Sequence, residues 1–346
     1  MPHQRGTNRV RRLVKYGRVI VLGAVVSFAA IYLIFTQLRD NDLSLIGAAL
    51  RNARYSYVAL SALIIAAGLF ARGARWRALL NNDLSFWRAF SINNVAYLIN
   101  GLIPFRVGEL AKIYLATRAD PPVPVLRSTS TIIVERLLDL ISIFVITLLA
   151  VSQGDLPEDL RRTALFLAPL AVVGFVILVV LSGQRERTLR VVGALVARLP
   201  IRWNVVGWME HFLDGLSPLT DWRRFALVGF FNVLSWVSSV VSGYVLMFAF
   251  FDQAHWGATL LFTSMASLAV AVPAVPGNLG TYELSILLAL QAMNFGDASA
   301  TVGAFAVAVH AVNLFINAGM GVIGFIQEGI SLQQLSQGVR EMRPSG

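Results

Sequence analysis

Long apolar runs alternate along this chain with short connections rich in arginine or mixed in charge. The runs lie at 19–38, 57–71, 132–151, 163–182, 225–251 and 298–326. A helix needs about 20 mostly apolar residues to cross ~30 Å of hydrocarbon, so this spacing predicts about six spans. Two further stretches are apolar but interrupted. LINGLIPFRVGELAKIYL (98–115) contains Pro104, two glycines and three charged residues, and SLAVAVPAVPGNLGTYELSILLAL (267–290) contains Pro273, Pro276, Gly277 and Gly280.

The connections set an orientation. Excess Lys and Arg mark cytoplasmic loops, which puts the basic N-terminus and the loop with Arg72, Arg75, Arg77 and Arg88 inside, and the acidic SQGDLPEDL (152–160) outside. The stretch 185–224 holds seven arginines and belongs inside, either as helices along the membrane surface or as an ordinary basic connector. The first run is longer than a signal core of about 7–15 residues, so it is expected to be a retained span.

Parity then constrains the interrupted stretches. Residues 89–118 must begin and end on the cytoplasmic side, so they enter the membrane and turn back, with Pro104 and Gly108 breaking the helix. The second stretch must begin and end outside, broken by Pro273, Pro276, Gly277 and Gly280, with Gly280 or Thr281 capping the half-helix that follows. The expected fold is an all-α polytopic membrane protein. It is an inverted repeat of span, broken re-entrant hairpin and span, with about six full spans plus two re-entrant hairpins. Repeat one covers about 57–151 and repeat two about 225–326. Residues 1–18 form a basic cytoplasmic tail, 19–327 a single membrane domain and 328–346 a cytoplasmic C-terminal tail.

Composition agrees. The 346 residues are 56% hydrophobic and 14% charged, against about 25% charged in a soluble protein. The formal charge of +10 resides in the connections, so no nucleic-acid partner is expected. Without cysteine, disulfide, thiolate and Cys-based metal chemistry are excluded. No Ser–His pairing, phosphate loop or metal cluster is visible, so no catalytic residue, metal or cofactor is expected.

Charges inside spans are costly and are functional candidates by default. The candidates are Arg106, Glu109 and Lys112 at spacing three, where Glu109 pairs with either cation, and Glu135, Arg136 and Asp139 in ERLLDL. Glu283 follows the second break, and His310, Asn313 and Asn317 form a polar stripe. Simpler readings stand beside these. Arg106 and Lys112 snorkel, the asparagines glue helices together, and Arg136 with Glu109 only fastens a hairpin to its neighbour. Half-helices starting after the breaks would turn their positive ends to the midplane, which with Arg106 and Arg136 suits an anionic group such as a lipid phosphate.

The segments N-x-x-x-P-x-R-x-G-E (Asn100, Pro104, Arg106, Gly108, Glu109), ERLLDL, P-x-x-P-G-x-x-G-x-x-E (Pro273, Pro276, Gly277, Gly280, Glu283) and Arg75-Trp76 together resemble the transmembrane region of the lysylphosphatidylglycerol synthases, the flippase-like UPF0104 group. The resemblance implies a multi-pass inner-membrane domain that moves lipids between leaflets, and the basic flanks place both termini in the cytoplasm. In bifunctional members this domain precedes an aminoacyl-transferase domain, which is not expected here, because the sequence ends about twenty residues after its last span. Asn278 stands where relatives often have glycine, and Lys112 where arginine is common, which leaves the headgroup open. The expected function is therefore a translocase for an anionic or amino-modified phospholipid or a glycolipid. Arg106 and Arg136 would meet the phosphate, with Glu109 and Glu283 as gating or counter-charge groups. The alternative is an accessory membrane subunit of a separate lipid-modifying transferase. A transferase partner and a homodimer both stay open.

Overall fold

The computed structural model describes residues 24–34, 36, 43–103, 106–153, 158–196, 205–270, 275–296 and 300–341. Pro104, Pro273, the whole N-terminal tail and the last five residues lie outside them. Among the described residues there are helices and no strands. They are α1 (Ala24–Ile34), α2 (Leu43–Arg51), α3 (Tyr55–Leu79), α4 (Phe86–Leu102), α5 (Val107–Thr117), α6 (Val125–Val151) and α7 (Glu158–Gly183). Then come α8 (Arg185–Val196), α9 (Val205–Leu216), α10 (Trp222–Phe250), α11 (Trp256–Ala269), α12 (Thr281–Ala292), α13 (Ala300–Glu328) and α14 (Leu332–Glu341).

Helices α3, α10 and α13 are long and apolar enough to cross a membrane by length and composition. The equally long α6 carries Glu135, Arg136 and Asp139 in its middle. Large apolar side chains point outward, Phe230 at 60% exposure and Phe315 at 75%, while Ser61, Asn93, Asn94, Ser242 and Arg75 are buried. Large apolar residues on the outer surface as well as in the core, with polar groups buried among them, are what a protein whose solvent is hydrocarbon shows. The chain is an all-α membrane protein.

Small residues bring the helices together. On α3 and α10 the Ser61 and Ser242 hydroxyls are 2.8 Å apart, and Gly68 backs onto Ser238. Where α4 crosses α13, the Ser91 hydroxyl donates to the Gly324 carbonyl at 3.1 Å. A methyl at Gly324 would lie 2.7 Å from the Ser91 carbonyl. Close backbone approach and hydroxyl bonds replace the hydrophobic drive that lipid cannot supply.

Contacts between elements fall into matched pairs. Helix α3 packs along α10, α4 on α13, and α11 on α6. The broken pairs α4–α5 and α11–α12 each fold back on themselves, and α5 touches α6 as α12 touches α13. Exchanging α3, α4, α5, α6 for α10, α11, α12, α13 maps this pattern onto itself. One expectation is corrected here. None of Arg72, Arg75, Arg77 and Arg88 is in a loop: α3 continues to Leu79 and buries Arg75 to 2% exposure, and Arg88 lies in the first turn of α4.

Candidate functional site

Both helix breaks converge on the centre. At the first, Arg106 caps α5 in the left-handed region, with φ of 52°, a conformation that costs a residue with a Cβ roughly 1–2 kcal/mol. The Gly108 amide donates to the Asn100 side-chain oxygen at 2.8 Å, so an amide left over at the helix start is satisfied from α4. A methyl at Gly108 would collide with the Ala96 carbonyl. At the second break Pro276–Asn278 forms a single 3₁₀ turn, with Gly277 and Asn278 both at positive φ. Asparagine tolerates this region better than most residues with a side chain, which accounts for Asn278 where a glycine would serve. Gly280 caps α12, and its amide donates to Glu283 Oε2 at 2.8 Å. The first amides of both half-helices are thus partly taken by Asn100 and Glu283, so side-chain charge rather than free helix ends sets the local potential.

Behind the first break lies a buried ionic network. Arg75 Nη1 donates to Asp139 Oδ1 at 2.7 Å and to Asn232 Oδ1 at 2.5 Å, and its Nη2 reaches Glu135 Oε1 at 3.3 Å. Lys112 Nζ donates to Glu135 Oε2 at 2.5 Å and sits 4.2 Å from the centre of the Trp76 ring. Arg75, Lys112 and Glu135 are at most 2% exposed. Arg136 Nη2 lies 3.3 Å from Asp139 Oδ2, and its Nε 3.8 Å from Glu109 Oε1. Lys112 therefore pairs with α6 rather than with Glu109, and Glu109 faces Arg136. From the second half, Glu283 Oε1 meets His310 Nδ1 at 2.6 Å, and the imidazole stacks on Tyr282 with centroids 4.5 Å apart. Asn313 and Asn317 each donate an amide N–H to the backbone carbonyl four residues earlier.

A cavity of about 500 Å³ opens between the halves. Its walls bring together Arg72 and Arg75 of α3, Tyr97 and Asn100 of α4, Arg106, Glu109 of α5, and Arg136 and Asp139 of α6. Across from them stand Gly277, Asn278, Tyr282, and His310, Asn313 and Asn317 of α13. Of the ten sequence candidates, Arg106, Glu109, Arg136, Asp139, His310, Asn313 and Asn317 line this space. Lys112, Glu135 and Glu283 instead stand behind it: Glu135 holds Arg75, Glu283 holds His310, and Lys112 holds Glu135. Arg72, Tyr97 and Asn232 were missed. Their signal was a polar residue on the inward face of an otherwise apolar helix, which is visible only once helix faces are assigned. Arg72 donates to the Ser239 hydroxyl at 3.2 Å and lies over the Tyr97 ring at 5.6 Å. Such a space, charged, half-open and lined by both halves, can hold a polar headgroup. Among the described residues no cluster of His, Asp and Glu has metal-binding geometry.

Two relatives are informative. Glycosyltransferase AglD of Haloferax volcanii is 26% identical over 363 residues, which take in 94% of this chain but 57% of that protein. The chain thus spans little more than half the length of that relative. A UPF0104 membrane protein of Methanothermobacter thermautotrophicus is 22% identical over 282 residues, 78% of this chain and 83% of the relative. The sequence model described as the lysylphosphatidylglycerol synthase TM region matches residues 20–321, and the chain belongs to that family.

Proposed function

We propose that this protein is a membrane lipid translocase, moving a phospholipid or glycolipid headgroup between leaflets. The observation that carries this reading is the charged cavity of about 500 Å³ where the two helix breaks meet. Paired interrupted helices in corresponding halves are the usual setting of a transporter site near the midplane. In this reading the two halves are inverted repeats, α4–α5 and α11–α12 are re-entrant hairpins, and both termini are cytoplasmic. The headgroup enters the cavity while its acyl chains stay in the bilayer. Arg106 and Arg136 meet the phosphate, Glu109 and Asp139 balance the cations when the site is empty, and the Glu283–His310 pair holds the second break.

Leaflet exchange in proteoliposomes tests it. Protein reconstituted with fluorescent phosphatidylglycerol is expected to expose inner-leaflet label to an external quencher faster than empty vesicles do. Alanine at Arg136 or Glu109 is expected to abolish the gain in protein that remains folded. Unchanged exchange in those variants would remove the site from the mechanism. The relative named as a glycosyltransferase extends well beyond the region it shares with this chain. That favours a second reading, a membrane subunit serving a separate lipid-modifying transferase. Folded protein that accelerates no lipid, but co-purifies with such an enzyme, would establish it.

A further inference from the structure

We infer that the cavity selects an acidic headgroup joining a phosphate to hydroxyls, of the glycerol-phosphate or sugar-phosphate class, and disfavours the same headgroup bearing an added ammonium. The inference rests on the cavity being a lipid headgroup site, and it concerns which headgroup that is.

The charge arrangement comes first. Each carboxylate in the lining already faces a guanidinium: Asp139 has Arg75 and Arg136, and Glu109 has Arg136. Glu135, behind the wall, is held by Arg75 and Lys112. Arg72 and Arg106 line the same space, and among the described residues neither has a carboxylate within 4.0 Å. Five cations thus face three carboxylates on this side, and the excess belongs to two guanidiniums open to the cavity. A phosphate offers the acceptor oxygens that guanidinium binds best. An ammonium would enter a positive wall and find no carboxylate without a cation already beside it.

The opposite wall supplies the second half of the argument. Asn313 and Asn317 must present their NH₂ groups to the backbone carbonyls they bond, because a carbonyl oxygen only accepts. Their side-chain orientation is therefore fixed, with Oδ1 left to accept. Asn317 Oδ1 is buried and has no hydrogen-bond partner among the described residues, a costly state that a donor from a bound molecule relieves. A phosphodiester has no donor to give, and a phosphate monoester between two guanidiniums is driven to its donor-free dianion, whereas a glycerol or sugar hydroxyl donates. Guanidiniums on one side and the Asn317 acceptor on the other describe a headgroup with a phosphate at one end and a hydroxyl at the other.

Competition binding with purified protein in detergent, followed by native mass spectrometry, tests this with short-chain phosphatidylglycerol, phosphatidic acid, phosphatidylcholine and lysyl-phosphatidylglycerol. Phosphatidylglycerol is expected to bind about tenfold or more tightly than its lysyl derivative and the choline lipid, the worth of one charge-assisted contact. It should also exceed phosphatidic acid, and Asn317→Ala should erase that second margin. Arg106→Gln and Arg72→Gln should each lower phosphatidylglycerol binding about tenfold, with Arg106→Lys retaining most of it. Equal or tighter binding of the lysyl lipid overturns the inference, and so does indifference to Arg106→Gln. Glycerol 3-phosphate or inorganic phosphate competing as well as the lipid would identify a soluble anion and overturn the lipid assignment. Selective binding without leaflet exchange would leave the inference standing and remove the translocase. Exchange of every headgroup alike would do the reverse.

Discussion

Arg106 adopts a backbone conformation that glycine would occupy more comfortably, and it does so at the wall of the cavity. Strain retained at such a place is a sign that the side chain matters more than the turn. Arg106→Gly is therefore expected to separate two properties. Thermal stability in detergent should equal or exceed the parent by up to about 1 kcal/mol, while phosphatidylglycerol exchange falls about tenfold. If stability and exchange fell together, Arg106 would be a structural residue. Arg75 is the opposite case, because its partners are protein groups. Arg75→Met leaves buried Glu135 and half-buried Asp139 with one cation each, and breaking a buried network of this kind costs about 3–5 kcal/mol. Asn232→Ala removes one bond from the same guanidinium and should cost about 1–3 kcal/mol. Unfolding measurements that rank the two variants the other way would show that the Arg75 ion pairs do not hold α3 to α6.

Among the elements, the first break depends on close approach as much as on its turn. A methyl at Gly108 would collide with the Ala96 carbonyl and the Asn100 side chain, so Gly108→Ala should push α5 off α4 and displace Arg106 and Glu109 together. A methyl at Gly229 on α10 meets nothing within 4 Å, so Gly229→Ala should be neutral, or stabilising by about 0.5–1 kcal/mol. Exchange assays on both, with purified yield as a check on folding, should show loss for the first and parental rate for the second. A parental rate in both would mean that the α4–α5 contact does not position the site. The breaks themselves were legible in the sequence, since Gly277 and Gly280 interrupt an apolar run where φ turns positive. The residues at 109, 136, 139 and 310 were legible as charge or polarity inside spans. Arg75 was not. The positive-inside reading judges an arginine by its nearness to a span's end, and Arg75 is four residues from the end of α3. Its partners Glu135, Asp139 and Asn232 lie 60, 64 and 157 residues away, a distance over which local pattern carries no pairing information. The left-handed Arg106 was hidden for a similar reason, because a tertiary constraint overrides the residue's own preference there.

At the scale of the whole molecule, the matched contacts place α3 and α10 together along the line between the halves, with the two breaks facing each other across the cavity. A methyl on Gly277 would stand 3.8 Å from the Gly101 carbonyl oxygen, so the end of α4 and the turn before α12 are close neighbours. For a headgroup to pass between leaflets, the cavity must open to each side in turn, and elements that meet across it must part. The large α3–α10 interface, laced by buried serines, suits a fixed axis, whereas the small contact between the breaks suits a moving gate. The chain contains no cysteine, so paired substitutions can be joined without background reaction. Gly101→Cys with Gly277→Cys, linked by a short bis-methanethiosulfonate, whose two disulfide bonds form with loss of sulfinate and are cleaved by dithiothreitol, should stop phosphatidylglycerol exchange and recover on cleavage. Gly68→Cys with Ser238→Cys, joining α3 to α10 where their β-carbons would be about 3.0 Å apart, should leave exchange largely intact. Arrest by the second bridge and indifference to the first would move the hinge to the breaks and the gate to α3–α10. Exchange at full rate with both bridges closed would mean that the headgroup does not travel between the halves at all.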